Sequence, residues 1–252
     1  MRASDLTSWQ AATSLKRMKP KLPCRWDLTP AEARRLQLEL RDQIELQDRL
    51  GRLRRVAGAD VALDLGLGLA IGGVVVYRFP EMEEVERVWA ERPLTFPYIP
   101  GLLSFREMPA ILAAFERVRE EPDLIYYDGQ GYAHPRRFGI ACHLGLLLDR
   151  PTIGCAKSRL IGRHEEPAAE RGSWTPLEDK GERIGAVVRT RSGVKPIYVS
   201  PGHRVSLEQA IELTLAVCNG YRIPQPTRDA DQFVGAVKRG EAGAERRKGR
   251  PE

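Results

Sequence analysis

The 252-residue sequence contains only four cysteines and four histidines, and neither set falls into a metal-binding pattern. Cys24, Cys142, Cys155 and Cys218 form no CxxC pair, which argues against both a structural zinc and a disulfide framework. Long apolar runs are also missing. The longest charge-free stretch of the apolar first third, Leu65 to Tyr77, is thirteen residues long and holds four glycines. A helix that spans a bilayer needs about 20 apolar residues, so no transmembrane segment is expected. The opening MRASDLTSWQAATSLKRMKPK has no apolar core ahead of a small-residue cleavage site, so no secretory signal is expected and the reading is cytoplasmic. No internal repeat or low-complexity tract is present. With 42% hydrophobic and 29% charged residues, the composition excludes collagen, coiled coil, mucin-like stalks and wholesale disorder. One large domain with trimmings is the expectation for this length.

The net charge of +6 is concentrated at the ends. Residues 1–26 carry six Lys/Arg against one acid, and residues 238–252 carry six against three, which leaves the stretch between them slightly negative. Basic ends on a near-neutral body suit arms that meet a polyanion, although solvated tails have the same composition. The expected division is a flexible basic extension over 1–26, a body over 27–239 and a charged tail over 240–252.

Within the body, Thr29-Pro30-Ala31-Glu32 joins a capping box to a proline at the first helical position, and predicts a helix from about 30 to 50 that stops at Gly51. Three β-rich runs follow, Val56–Leu63, Gly68–Phe79 and Glu84–Phe96, which read as an antiparallel meander. Leu102, Phe105, Met108, Ile111, Leu112, Phe115 and Val118 recur at helical spacing, so a helix is predicted over about 102–120. Asp123–Asp128 (DLIYYD) has the look of a buried parallel strand ending in an acid. A helix over 136–149, strands at Thr152–Ala156, 183–190 and 196–200, a Ser206-capped helix to Cys218 and a short helix over 228–239 complete the body. The order implies an α/β fold with a central mixed sheet and helices on both faces.

Three carboxylates stand where chemistry could sit: Asp60 in the first strand, Glu107 in the helix after the meander, and Asp128 at the end of the DLIYYD strand. An acid inside an apolar strand is costly unless it is paired or metal-bound, so Asp60 is the sharpest of the three. If the first and fourth strands are neighbours, Asp60 faces Asp128. Oxygen-only ligands of this kind suit Mg²⁺ or Mn²⁺.

The ordered motifs VAGADVA around Asp60, PYIPGLLSFRE (Pro97–Glu107), DGQGYAHPRRFGIA (Asp128–Ala141), GCAKS around Lys157, SPGH (Ser200–His203) and PTRDAD (Pro226–Asp231) together resemble endonuclease V, the deoxyinosine repair nuclease family. The resemblance covers about 56–235. It implies an RNase H-like fold and a DNA repair endonuclease that hydrolyses the second phosphodiester 3′ to a deaminated adenine, leaving a 3′-hydroxyl and a 5′-phosphate. It also implies Mg²⁺ as cofactor, with Mn²⁺ able to substitute. Asp60, Glu107 and Asp128 match the family's metal-binding acids, and Lys157 and Asp231 join them in the catalytic set. The implied partner is DNA containing deoxyinosine, duplex or single-stranded. Cleavage of inosine in RNA remains open, since a 2′-hydroxyl contact is invisible here. So does a non-catalytic module that binds flipped bases and recruits repair proteins, against which the three costly acids argue.

Pro97, Tyr98, Ile99 and Pro100 make physical sense as a wedge, because two prolines stiffen the tip and remove its donors. Such a tip can fill the gap left when one nucleotide is rotated out. The base pocket implied by the resemblance takes in Leu103, Gly129, His134, Gly139, Ile140 and Gly154. Its glycines let backbone approach a ligand closely. Gly139, expected inside a helix at a cost of about 1 kcal/mol relative to alanine, should be making room for something. Lys157 follows a strand and can neutralise the scissile phosphate. His203 is read as a structural hydrogen-bonding residue, and Arg136 and Arg137 as phosphate contacts or members of a solvated face.

Overall fold

Alternation along the strands sorts the core into two layers. The computed structural model describes residues 18–241. Its strands are β1 (Arg55–Asp64), β2 (Leu69–Arg78), β3 (Glu83–Pro93), β4 (Leu124–Tyr127), β5 (Thr152–Ala156), β6 (Trp174–Asp179), β7 (Glu182–Val188) and β8 (Ile197–His203). They form one mixed sheet in the order β3-β2-β1-β4-β5-β8-β7-β6, with β1, β4 and β5 parallel and the remaining pairs antiparallel.

In β4, Leu124 and Tyr126 point to one face with Val56, Ile71, Ile153 and Cys155, while Ile125 and Tyr127 point to the other with Ala57, Ala59 and Val74. The first face is covered by α4 (Leu207–Ala216) and α5 (Gln225–Arg239) through Ala210, Ile211, Leu213, Ala230, Phe233 and Val237. The second is covered by α2 (Leu103–Phe115) and α3 (Ile140–Leu148) through Met108, Ile111, Phe115, Ala141 and Leu144. A strand buried on both faces reads as a continuous apolar run, as LIYY does. The architecture is the expected mixed sheet with helices on both faces, and it is RNase H-like.

Several boundaries differ from the sequence expectation. Helix α1 spans Pro30–Arg41 with the predicted capping box, but it ends well before Gly51. The chain after it is drawn out toward β8: Glu45 N–H donates to His203 Nδ1 at 3.3 Å, Arg204 N–H to Glu45 O at 2.6 Å, and Arg49 N–H to Arg204 O at 3.1 Å. Tertiary hydrogen bonds thus override helix propensity, and His203 makes the structural bond expected of it. Strand β6 has no counterpart in the sequence expectation, because Pro176 and the exposed residues around it mask an edge strand, one of the few places in a sheet where proline is tolerated. Helix α3 begins at Ile140 rather than near 136, since Arg137 takes a left-handed φ of 56° and Gly139 is the N-cap. Helix α5 begins earlier than expected, at Gln225, with Pro226 in its first turn.

Residues 1–17 and 242–252, which carry half of the terminal net charge, lie outside the described residues. Met18, Leu22, Cys24 and Trp26 pack against the α2/α3 layer, and Lys21 N–H donates to Leu147 O at 2.7 Å. Residues 18–26, which the expected boundary at 26 assigned to the flexible extension, are therefore packed onto the body. Among the described residues no helix is long and apolar enough to cross a membrane.

Candidate active site

Strand β1 pairs in parallel with β4 from Val56↔Leu124 to Ala59↔Tyr127. The next residue on each strand is an acid, and the Asp128 N–H still reaches Ala59 O at 3.4 Å. Register alone thus sets Asp60 beside Asp128, as expected if the two strands are neighbours. Asp231, from α5, completes a group in which one carboxylate oxygen from each of Asp60, Asp128 and Asp231 lies within 4.8 Å of the others.

Glu107 is not part of that tight group. It sits on α2, buried, and accepts a hydrogen bond from Tyr127 Oη at 3.1 Å. It remains close enough for its charge to be felt by Asp60. Lys157, just after β5, lies 2.5 Å from Asp128 and 3.3 Å from Asp231.

The electrostatics follow from this crowding. Burial, then the charge of Asp128, holds the Asp60 carboxyl well above its ordinary range. Asp128 is also raised, by burial first, with Lys157 pulling the other way. Burial pushes Glu107 up to about 7, against the Tyr127 hydrogen bond. Partial burial would lower the Lys157 ammonium, but Asp128 and Asp231 outweigh it and raise it. Carboxylates pressed together with raised pKa values are a site short of positive charge, and an all-oxygen donor set is the one that hard divalent cations take. The residues fit a Mg²⁺ or Mn²⁺ ion.

Asp128 and Lys157 also line a cavity of about 380 Å³, which is shared by Gln37, Leu103, Ser104, Gly129, Gln130, His134, Gly139, Ile140 and the tip Tyr98-Ile99-Pro100-Gly101. That volume is in the range of small-ligand pockets. Of the six residues expected in a base pocket, Leu103, Gly129, His134, Gly139 and Ile140 line this cavity. Gly154 does not. It lies behind the Gly129–Gly131 turn, where a Cβ would come within 2.4 Å of Gly131 N and 2.7 Å of Gly129 O. The expected role of Gly139 also changes: a Cβ there would lie 2.2 Å from Gln130 O, so the room it makes is for its own loop.

His134 is buried and neutral, since burial and then Arg136 lower its pKa to about 4. Its Nε2–H faces Gly101 O at 3.0 Å and its Nδ1 accepts from Arg136 N–H at 3.2 Å, so both ring nitrogens are committed to protein. Arg137 pairs with Asp179 and Glu182.

In the tip, Tyr98 is 69% exposed, while Ile99 packs against a small cluster of Ala33, Phe96, Leu102 and Phe105. The two tip residues expected to act alike are therefore different: one projects and the other anchors. Sequence reasoning missed Gln37, Ser104, Ser158, Arg159 and Leu160, all of which line the cavity. For Gln37 a signal existed, a polar residue one turn after Ala33 on the buried stripe of α1.

The Endonuclease V family model matches residues 38–232. An endonuclease V of Trichormus variabilis is 53% identical over 213 residues, covering 84% of this chain and 96% of that one. Among solved structures, the endonuclease V of Streptomyces avermitilis is 44% identical with a TM-score of 0.82, covering 88% of this chain and 98% of that one. The Ciona intestinalis endonuclease V, solved with a 24mer DNA containing an inosine followed by a ribo-adenosine, is 31% identical with a TM-score of 0.73, covering 83% of this chain and 98% of that one. A match across most of the body by sequence and by fold, on top of the acidic group and its cavity, establishes that the chain belongs to the endonuclease V family.

Proposed function

We propose that this protein is a cytoplasmic, Mg²⁺-dependent DNA repair endonuclease that recognises deoxyinosine and hydrolyses the second phosphodiester 3′ to it, leaving a 3′-hydroxyl and a 5′-phosphate. The observation that carries the reading is the Asp60–Asp128–Asp231 group beside Lys157, opening onto a cavity under an exposed aromatic tip. The binding of inosine-containing DNA by the Ciona relative supports the substrate. Four free cysteines suit a reducing compartment.

Asp60 and Asp128 would hold the cation, with Asp231 beside them and Glu107 behind as a protonatable partner. A divalent ion held there supplies alignment of a water against the phosphodiester and stabilisation of the leaving oxygen. Lys157 places a fixed positive charge next to the same acids, where it can meet a phosphate oxygen. The cavity takes the extruded base. Gly129 and Gly139 bring main chain to it, Leu103 and Ile140 give it apolar walls, and His134 presents a ring whose nitrogens are already used. Tyr98 fills the stack that the base has left. The basic ends, 1–17 and 242–252 foremost, add phosphate contacts that hold damaged and undamaged DNA alike.

Asp60→Ala and Asp128→Ala test this directly. Each should abolish most cleavage of an inosine-containing duplex while leaving substantial affinity for it, since phosphate and pocket contacts remain. Near-normal turnover in either variant at saturating Mg²⁺ would overturn the assignment. Matched inosine-containing DNA and RNA strands, run side by side, decide which sugar the site prefers.

A further inference from the structure

One backbone carbonyl at the base of the wedge collects three side-chain donors. Gly101 O accepts from Gln37 Nε2 at 3.1 Å, from His134 Nε2 at 3.0 Å and from Arg136 Nη2 at 2.7 Å. A carbonyl oxygen offers two lone pairs, so this is more than backbone satisfaction requires. The donors are also tied to one another. Arg136 Nε donates to Gln37 Oε1 at 2.5 Å, and Gln37 Nε2 is also 3.2 Å from Phe138 O, just ahead of α3. A single amide, 1% exposed, therefore joins α1, the wedge loop and the loop that leads into α3.

Gly101 is built for this. Its φ is +78°, and a Cβ would lie 2.9 Å from Arg136 Nη2 and 3.3 Å from His134 Nε2. The two donors stand where a side chain would be, so glycine serves both the conformation and the close approach. The N-terminal flank of the tip is held by Arg106, whose Nη1 donates to Phe96 O at 2.6 Å. Pro97 and Pro100 have no N–H to give, and the local backbone bond is Leu102 N–H to Ile99 O at 2.9 Å. Ile99 gives one apolar anchor. On its C-terminal side the position of the tip over the cavity is thus set at the Gly101 carbonyl, and Gln37, Gly101 and His134 all line that cavity.

We propose that Gln37, acting with Arg136 and His134, is a positioning residue that clamps the Pro97–Pro100 tip to the base cavity, so that Tyr98 enters the stack in register with the base leaving it. The inference rests on the function proposed above and deepens it. A tip free to swing would have to be ordered during binding, and the clamp moves that cost into folding. Only a duplex demands the wedge, so only a duplex should feel the clamp.

The test uses the full-length protein and two variants. Gln37→Met keeps a similar volume and removes the amide, while Gln37→Glu keeps an acceptor opposite Arg136 and removes the donation to Gly101 and Phe138. With Mg²⁺ present, kcat/KM is measured for inosine in a duplex and in a single strand of the same sequence. Amide hydrogen exchange is followed in the metal-free protein. Both variants should lose about tenfold on the duplex and less than about twofold on the single strand, the scale of a small misplacement of a positioned group. The amides of Tyr98, Ile99, Gly101 and Leu102 should exchange faster while those of β1 and β4 keep their protection.

Equal losses on both substrates, or unchanged exchange at the tip in Gln37→Glu, would overturn the clamp. If Gln37→Met unfolds, Gln37→Glu decides by the same two readings. Failure of the wild type to cleave either inosine substrate would instead overturn the function, and the exchange measurement would still judge the clamp.

Discussion

Glu107 offers a perturbation whose effect on stability depends on pH. Burial raises its carboxyl from 4.5 to about 7, and Asp128 adds to the rise. In the unfolded chain the group titrates at its ordinary value. Between the two values the folded protein keeps a proton that the unfolded chain has lost, so stability falls as pH rises through that window and stays low above it. At 1.36 kcal/mol per pH unit the penalty is on the order of 3 kcal/mol once both states are ionised.

Glu107→Gln removes the ionisation and keeps an oxygen to accept from Tyr127 Oη, while the buried amide nitrogen costs about 1 kcal/mol if it finds no partner. The net gain at about pH 8 is then roughly 2 kcal/mol, which at about 2–4 °C per kcal/mol for a chain of this size raises the melting temperature by roughly 4–8 °C. Near pH 4.5, where wild-type Glu107 is protonated in the fold, the gain should vanish and the amide cost should leave the variant slightly less stable than wild type. Melting curves followed by circular dichroism in EDTA at the two pH values read this directly. A variant no more stable than wild type at the higher pH, or equally stabilised at both, would refute the reasoning. Mg²⁺ should narrow the gap at the higher pH, because a bound cation stabilises the ionised wild-type site.

Tyr98→Ala should lower kcat/KM for inosine in a duplex more than in a single strand, because the tyrosine is 69% exposed and contributes to stacking rather than to the core; equal losses would mean that the tip supports the cavity instead. Gly139→Ala should behave in the opposite way. Its Cβ would come within 2.2 Å of Gln130 O, so the Gly129–Gly131 turn must shift and both substrates should lose activity by the same factor, with stability falling by about 1–3 kcal/mol. Deleting 1–17 and 242–252, which hold three and four Lys/Arg respectively, should weaken binding to all DNA and flatten the dependence of log K on log salt by about 0.9 for each phosphate no longer neutralised, while leaving inosine discrimination intact. An unchanged slope in that truncation would show that the ends touch no phosphate.

The parts of the molecule legible in sequence are those in which local chemistry and tertiary demand agree. Apolar LIYY suits a doubly buried strand, and its parallel pairing with β1 is enough to bring Asp60 to Asp128. The capping box at Thr29 and the N-cap Ser206, whose hydroxyl accepts from Gln209 N–H, mark helix starts that the fold keeps. What fails to show are features created by partners distant in sequence. The end of α1 is set by Glu45, Arg49 and Arg204, and nothing in residues 42–50 announces it. Strand β6 is an edge whose residues satisfy few of the usual strand signals, since Leu177 alone of its side chains is buried and β7 is the one strand it pairs with along its length. Gln37 stands out in sequence only as a polar residue one turn after Ala33, and its role shows once its three partners, at 101, 136 and 138, are brought together.

The arrival of Asp231 at the acidic group has a cause of the same kind, and it lies in two glycines of the sheet. Gly58 sits on β1 two residues before Asp60, and a Cβ there would meet Pro226 O at 1.9 Å. Gly73, the β2 partner of Asp60, would place a Cβ 2.4 Å from Val234 Cγ1. Asp231 lies between Pro226 and Val234 on α5, so the helix is let down onto the sheet on either side of it. Ala230, Phe233 and Val237 then bury the same helix against the core, which holds that close approach by apolar packing rather than by attraction among the acids. Asp60, Asp128 and Asp231 repel one another, and Lys157 offsets only part of that repulsion. The acids stay together because β1, β4 and α5 are fixed by contacts that do not involve them, which is the condition under which a fold can keep a charge-poor site assembled for a cation.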